Sequence, residues 1–186
     1  NQACLDHTFG GKITSCLVNP RACHETELVI APATRPKRIA VVGAGPAGLS
    51  FAVTAAERGH TVELFDSASE IGGQFNIAKQ VPGKEEFYET LRYFDRQLKL
   101  KGVKLSLNTR VSAEALKAAG FDEIVLATGV TPRTPDIEGV NHPKVMGYLD
   151  VLRDGKPVGK NVAVIGAGGI GFDVSEFLTH SGTSPS

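Results

Sequence analysis

The stretch Arg38-Ile39-Ala40-Val41-Val42-Gly43-Ala44-Gly45-Pro46-Ala47-Gly48 decides the fold of this chain. Its apolar first half is typical of a strand that is buried on both faces. The glycines follow at once, residues 49–58 predict a helix that Gly59 ends, and residues 61–66 predict a second strand. Because a strand, a helix and a strand in succession form a parallel βαβ unit, the sequence predicts an α/β fold with a parallel sheet.

The spacing Gly43-x-Gly45-x-x-Gly48 between a strand and a helix predicts a dinucleotide site. Gly43 permits the tight turn, Gly45 leaves room for a pyrophosphate at the helix N-terminus, and Gly48 lets the helix pack close to the strand. Asp66 follows Gly43 by 23 residues and ends the second strand, where a carboxylate can accept hydrogen bonds from the adenosine ribose. The alternative is a structural glycine turn in which Asp66 only caps the chain.

Neighbouring motifs indicate which dinucleotide binds. Pro46 and Ala47 in the turn, the bend Gly72-Gly73-Gln74 and the strand end Ala127-Thr128-Gly129 resemble the FAD-binding half of flavoproteins that bind two dinucleotides. In this order they predict a Rossmann-like FAD domain, with the backbone of small residues passing close to the cofactor.

Three residues outside the first turn are further candidates for the FAD site. Gln74 is predicted to hydrogen-bond the cofactor, the alternative being a polar turn residue. Lys84 is predicted to reach a phosphate, the alternative being a solvated lysine. Val111, expected at the end of the third strand, is predicted to hold adenine through its backbone.

The second half of the chain repeats the strand and the glycine turn. A helix is predicted over 84–101, strands over 103–107 and 123–127, and a short helix around 146–152. A strand over 160–165 then leads into Gly166-x-Gly168-x-x-Gly171 and a helix over 169–178, and these glycines are predicted to bind a nicotinamide cofactor. Residues 160–186 alone are expected to bind it weakly or not at all, because a lone βα unit cannot close a sheet. We expect three segments: an irregular cysteine-bearing arm over 1–35, an FAD-binding domain over 36–157 and the beginning of an NAD(P)H-binding domain over 158–186.

Composition excludes several classes of function. The 186 residues carry 20 Lys plus Arg and 20 Asp plus Glu, so no net charge favours nucleic acid or an anionic membrane surface. No apolar run reaches the roughly 18 residues that a membrane span needs. Three cysteines, an odd number, argue against a disulfide framework and predict a cytoplasmic protein.

The cysteines and the segments around them resemble the bacterial NADPH-dependent 2,4-dienoyl-CoA reductases and the related amine dehydrogenases. The resemblance covers essentially the whole chain, and it is carried by Asn1-Gln2-Ala3-Cys4, Cys16-Leu-Val-Asn-Pro20, Arg21-Ala-Cys23-His24-Glu25, Gly72 to Lys79, Gly83 to Arg92 and His142 to Val145. The cluster motif of that family resembles C-x2-C-x3-C-x11-C. Cys4 and Cys16 match its third and fourth ligands, whereas Cys23 fits no ligand position and is expected to be buried.

The resemblance implies an internal segment of a longer oxidoreductase. In such a protein, electrons pass from NADPH through FAD and a [4Fe–4S] cluster to an FMN in a TIM barrel, which reduces 2,4-dienoyl-CoA in the degradation of unsaturated fatty acids. The partners of this segment would be its dinucleotide cofactors, the preceding flavin barrel and the remainder of the NADPH domain. No catalytic residue is expected within it, and the segment alone is expected to be inactive. Two of the four cluster ligands would precede it.

Two alternatives stay open at this stage. One is a domain like that of the amine dehydrogenases, which keeps only an ADP moiety and has no redox role. The other is a folded segment without a bound cofactor, because the FAD domain in such proteins receives a last strand after the nicotinamide domain.

Overall fold

The computed structural model describes residues 2–16 and 19–182. In the described part, short strands alternate with helices from residue 38 onward. In chain order the elements are α1 (Gln2–Phe9), β1 (Arg38–Val42), α2 (Pro46–Glu57), β2 (Thr61–Phe65), α3 (Phe75–Ala78), α4 (Glu86–Leu100), β3 (Lys104–Ser106), α5 (Ala113–Ala118), β4 (Glu123–Leu126), α6 (Tyr148–Leu152) and α7 (Gly169–Thr179).

The four strands form one parallel sheet in the order β3-β2-β1-β4. The pairing of Val41 with Leu64 on one side and with Val125 on the other makes β1 a central strand. A central parallel strand must be apolar on both faces, which explains the unbroken run that begins the first glycine motif. The predicted α/β fold with a parallel Rossmann-like sheet is confirmed.

The side chains of β1 divide between two apolar clusters on opposite faces of the sheet. Ile39 and Val41 pack with Leu49 of α2 and Leu98 of α4. Ala40 belongs to the cluster that contains Phe65, Leu116 of α5, and the partly buried Val42, Val111 and Phe121. Since α2 and α4 lie on one face and α5 on the other, the chain changes faces between β3 and β4.

The third cluster joins the end of the chain to the first unit. Val81, which follows α3, packs with Leu152 of α6 and Val174 of α7. At the start of α6 the Asp150 carboxylate accepts a hydrogen bond from the Gly147 amide at 2.8 Å. The hydrogen bond from Lys156, and after it the one from Gly147, hold the pKa of Asp150 below its usual range. The Asp150 carboxylate therefore keeps its hydrogen bond at the start of α6 to lower pH than an ordinary aspartate would.

Several elements differ from the prediction. The sequence signals for α1, α3 and α5 were too short or too weakly periodic to be recognised. Residues 160–165 form no strand in the structure, because no described strand lies beside them to complete a hydrogen-bonded ladder. Ile165 is accordingly 78% exposed. Cys23 was expected to be buried, but it is exposed, and its backbone has φ of 64°.

Among residues 2–16 and 19–182, no helix combines the length and the apolar character that crossing a bilayer requires.

Candidate functional site: two glycine turns and the bend between them

The first glycine turn lies at the carboxyl ends of β1 and β4. Gly43 has φ of 109°, and its amide donates to the Phe65 carbonyl at 2.8 Å. A Cβ at Gly43 would lie 2.3 Å from the carbonyl oxygen of Ala127 and 3.2 Å from the Cα of Thr128. Because the connections from β1 and to β4 run over opposite faces, this is the switch point of the sheet, where ligands of open α/β folds bind.

Gly48 and Gly45 have different surroundings. A Cβ on Gly48 would lie 1.8 Å from the Gly43 carbonyl oxygen, so only glycine allows α2 to approach the turn this closely. A Cβ on Gly45 would meet nothing within 4 Å. Gly45 is the N-cap of α2, Pro46 fills the first helical position, and the amides of Ala47 and Gly48 have no intrahelical acceptor. Open space in front of free amides is suited to an anion.

Asp66 holds two loops at the end of β2. Its Oδ2 accepts from the Ala44 amide at 2.6 Å, and its Oδ1 accepts from the Ala68 amide at 2.8 Å. The capping role that was kept as the alternative is therefore present. Each oxygen has a second lone pair, so the predicted contact with a ribose hydroxyl is compatible with it.

We expect Asp66→Asn to destabilise the chain even without a ligand. The asparagine amide group has one acceptor, so one of the two backbone amides faces an NH2 group and loses its partner. An unsatisfied amide in this partly buried position costs about 1–3 kcal/mol. Urea unfolding measures the change, with Asp122→Asn as the matched control, since Asp122 is exposed and only its Oδ2 accepts from the Arg38 amide. Equal stability losses in both variants would contradict the double-acceptor role.

The bend after β2 lies directly over the first turn. The Gly72 amide donates to the Ala44 carbonyl at 2.8 Å. Gly73 has φ of 53°, and a Cβ there would lie 3.1 Å from the Cα of Gly45. Gln74 Nε2 donates to the Val130 carbonyl at 2.9 Å, just past the predicted Ala127-Thr128-Gly129 segment. The structure thus brings together the first turn, the bend and the end of β4.

Sequence reasoning missed two residues of this site. Ala44 is fully buried and uses both backbone groups, its amide to Asp66 and its carbonyl to Gly72. Asn76 donates through Nδ2 to the Ile71 carbonyl at 2.8 Å, and its side chain would collide with a Cβ on Gly72. The position of Ala44 between Gly43 and Gly45 was visible in the sequence, whereas a polar residue in a short helix gives no signal.

Two of the predicted residues have other neighbours in the structure. Lys84 Nζ lies 2.6 Å from Asp173 Oδ2 on α7, so its side chain is paired with a carboxylate, and its contact with a phosphate stays a prediction. Val111 was expected at the end of the third strand. Because β3 ends at Ser106, Val111 lies five residues further on, in the loop before α5, and packs against the cluster of Phe65 and Leu116.

The second glycine turn repeats the geometry of the first. Gly166 has φ of 116°, and a Cβ on Gly171 would lie 2.0 Å from the Gly166 carbonyl oxygen. Gly168 is the N-cap of α7, and a Cβ there would meet nothing within 4 Å. The turn therefore presents the same open space in front of a helix N-terminus.

The cysteines predicted as cluster ligands lie in the N-terminal arm. Cys4 is on α1 and Cys16 follows it, and both are half-buried free thiols. The described residues contain no group of three or more His, Cys, Asp or Glu side chains that could hold a metal. By itself the described chain therefore does not fit a four-thiolate cluster.

Comparison with known proteins adds a family and relatives. The profile of a family described as "Pyridine nucleotide-disulphide oxidoreductase" matches residues 37–184. A metal reductase of Desulforamulus reducens is 38% identical over 187 residues, which cover 98% of this chain and 28% of the relative. A solved 2-naphthoyl-CoA reductase in complex with 2-naphthoyl-CoA is 37% identical with a TM-score of 0.90, over 96% of this chain and 27% of that chain. A 6-hydroxypseudooxynicotine amine oxidase from Pseudomonas geniculata is 29% identical with a TM-score of 0.73, over 82% and 25%.

The chain thus spans little more than a quarter of the length of these proteins.

Proposed function

The chain belongs to the pyridine nucleotide-disulphide oxidoreductase family, and from this we propose that it is the segment of a larger flavoprotein reductase that holds FAD and receives reducing equivalents from NADPH. Proteins of this family bind FAD and a pyridine nucleotide, and the relatives named above are oxidoreductases. The observation that carries the proposal is the open space at Gly45, which lies beside the bend at Gly73.

The residues of the first turn fit an FAD diphosphate. The only glycine of this turn whose Cβ would meet no atom, Gly45, lies in front of the free amides of Ala47 and Gly48. The Asp66 carboxylate would accept hydrogen bonds from the adenosine ribose, and Gln74 in the bend would hydrogen-bond the cofactor. FAD supplies hydride acceptance, and the chain supplies binding, orientation and exclusion of water.

We assign residues 36–157 to the FAD unit and residues 158–186 to the start of the nicotinamide unit. In the second turn, Gly168 and the helix N-terminus of α7 would hold the diphosphate of NADPH. A [4Fe–4S] cluster would need two thiolates from outside this chain besides Cys4 and Cys16. An FMN would be held by the proposed barrel.

The proposed substrate is a 2,4-dienoyl-CoA, which the resemblance of the arm and of residues 72–92 supports. The solved relative acts on a CoA thioester, 2-naphthoyl-CoA, which supports the same substrate class. The second candidate is an amine dehydrogenase-like domain that binds only ADP, and the similarity to an amine oxidase favours it.

One experiment separates these functions. The purified chain is mixed with excess FAD or excess ADP, desalted, and examined by absorbance for retained flavin and by nucleotide analysis for retained ADP. We expect flavin close to one equivalent, and bleaching of its bands by NADPH without oxygen would show that the second turn also binds its cofactor in the isolated chain. Retention of ADP without flavin would support the binding domain, and retention of neither would contradict both functions for this chain.

The substrate class is tested on the full-length protein that contains this chain. We expect 2,4-dienoyl-CoA to stimulate oxidation of NADPH, and a primary amine or a saturated acyl-CoA to have no effect. Reduction of an electron acceptor by the amine would overturn the assignment in favour of an amine dehydrogenase.

A further inference from the structure

The helix that carries the second glycine turn is attached to the first unit without a sheet. Residues 160–165 form no strand, so α7 has no β-ladder behind it. Val174, on the inner side of α7, is nevertheless buried. What holds α7 in place is therefore a set of side chains from other segments.

Two of these side chains come from one turn that follows α3, and Leu152 of α6 packs in the same cluster. Val81 is 1% exposed and packs against Val174, and Lys84 Nζ lies 2.6 Å from Asp173 Oδ2. The Lys84 amide donates to the Val81 carbonyl at 3.1 Å, so one turn presents both contacts. On α7 the two partners are consecutive residues. One apolar contact and one ion pair side by side fix both the position of a helix and its rotation about its own axis.

We infer that Lys84 and Asp173 are a positioning pair that holds the second glycine turn in a defined orientation to the first. The pair joins residues 89 positions apart, one of them ten residues after Gln74 and the other two residues beyond Gly171. Gln74 and Asp173 also line the same small cavity of about 90 Å³ together with Ile77, Tyr148 and Ile170. The pair therefore lies at the junction of the two turns.

The pair matters for function because hydride transfer requires close and oriented rings. This part of the inference rests on the proposed function. Reacting atoms have to come within about 3–3.5 Å, and a displacement of about 1 Å can cost roughly a hundredfold in rate. Movement of the second turn relative to the first would cause such displacements, and the ion pair restrains this movement. Its side chains are 37% and 27% exposed, so its contribution lies in orientation more than in global stability.

The test measures the mobility of α7 in the 186-residue chain. Lys84→Met, Asp173→Asn and the reversed pair Lys84→Asp with Asp173→Lys are compared by hydrogen exchange. We expect each single variant to speed exchange of the amides of α7 by about two- to fivefold, with β1 and β2 unchanged. The reversed pair should restore slow exchange. Lys99→Met is the matched control, since it removes a lysine from an exposed ion pair with Asp95 on α4.

Unchanged exchange of α7 in both single variants would overturn the inference. So would a reversed pair that exchanges as fast as the single variants. An effect of Lys84→Met on FAD retention, without any effect of Asp173→Asn on exchange, would instead assign Lys84 to a phosphate.

A second readout connects the pair to the cofactors. In the FAD-loaded chain, NADPH is titrated and the quenching of flavin fluorescence is followed. We expect both single variants to weaken quenching and the reversed pair to restore it, and we expect Asp173→Asn to retain FAD at the wild-type level. If the wild-type chain shows no quenching at all, the nicotinamide half of the proposed function fails, and hydrogen exchange still decides on the positioning pair.

Discussion

Gly45→Asp is expected to abolish FAD retention while the chain stays as stable as the wild type. Gly45 has φ of −76° and ψ of −179°, the extended conformation that aspartate prefers at a helix N-cap. A Cβ there meets no atom of the chain, and a carboxylate interacts favourably with the helix N-terminus. The thermal unfolding midpoint should therefore stay the same or rise slightly.

The loss of FAD has an electrostatic cause. The new carboxylate occupies the space proposed for the diphosphate, and two like charges about 4 Å apart repel by roughly 4 kcal/mol near a protein surface. That repulsion lowers the affinity by about a thousandfold. Flavin absorbance after desalting measures the outcome, together with circular dichroism for folding.

The second turn provides a matched control for this variant. Gly168 has φ of −88° and ψ of −178°, and its Cβ would also meet nothing. Gly168→Asp is expected to retain FAD and to lose only the response to NADPH. Wild-type flavin content in Gly45→Asp would show that the first turn does not hold the diphosphate, and flavin loss in both variants would show that the effect is not specific to it.

Gly48→Ala is expected to lower stability by about 3 kcal/mol, near the upper end of the range for overpacked positions. The added methyl group would lie 1.8 Å from the Gly43 carbonyl oxygen, which is a backbone atom and cannot rotate away. The better helix propensity of alanine recovers only about 1 kcal/mol. In a protein of this size the unfolding midpoint should fall by roughly 6–12 °C, and FAD retention should fall with it because α2 is displaced from the turn.

Gly171→Ala is the control for that prediction. Its methyl group would meet the Gly166 carbonyl oxygen at 2.0 Å, an almost equal collision, but α7 is not joined to the sheet. We expect faster hydrogen exchange in α7 and an unchanged main unfolding transition. If both variants lower the unfolding midpoint equally, α7 unfolds together with the sheet as one cooperative core, which would contradict this prediction.

The parts of the fold that the sequence predicted have strong local causes. The run of Ile39 to Val42 has to be buried on both faces, and the amphipathic helix of Leu91 and Leu98 has to face the sheet, so β1, α2, β2 and α4 were recognisable. The glycines identified the turn, because Gly43 and Gly48 leave no room for a side chain and Gly45 is predicted to leave room for a diphosphate. Gly43 lies against Ala127 because β1 and β4 are neighbours in the sheet. A local sequence pattern does not contain the strand order, so this contact could not be predicted.

The missed features depend on contacts between distant segments. The pairing of Lys84 with Asp173 is invisible to local spacing, because the residues belong to different units. The strand predicted over 160–165 has the right composition, but a strand forms only beside a partner. Val111 was displaced because β3 ends after three residues, and the position of a strand end is decided by its neighbour.

The second turn has a consequence for how such proteins choose their cofactors. Gly166 to Gly171 take a shape like that of Gly43 to Gly48 although no strand precedes them, so the shape does not depend on a strand in front of it. A glycine turn of this kind can therefore be duplicated at another place in a chain without the strand that preceded the first copy. It cannot, however, distinguish flavin from nicotinamide nucleotides, because both present the same diphosphate to it. Selectivity has to evolve in the flanking segments, such as Asp66 and the bend at Gly72, which the second copy does not have to share.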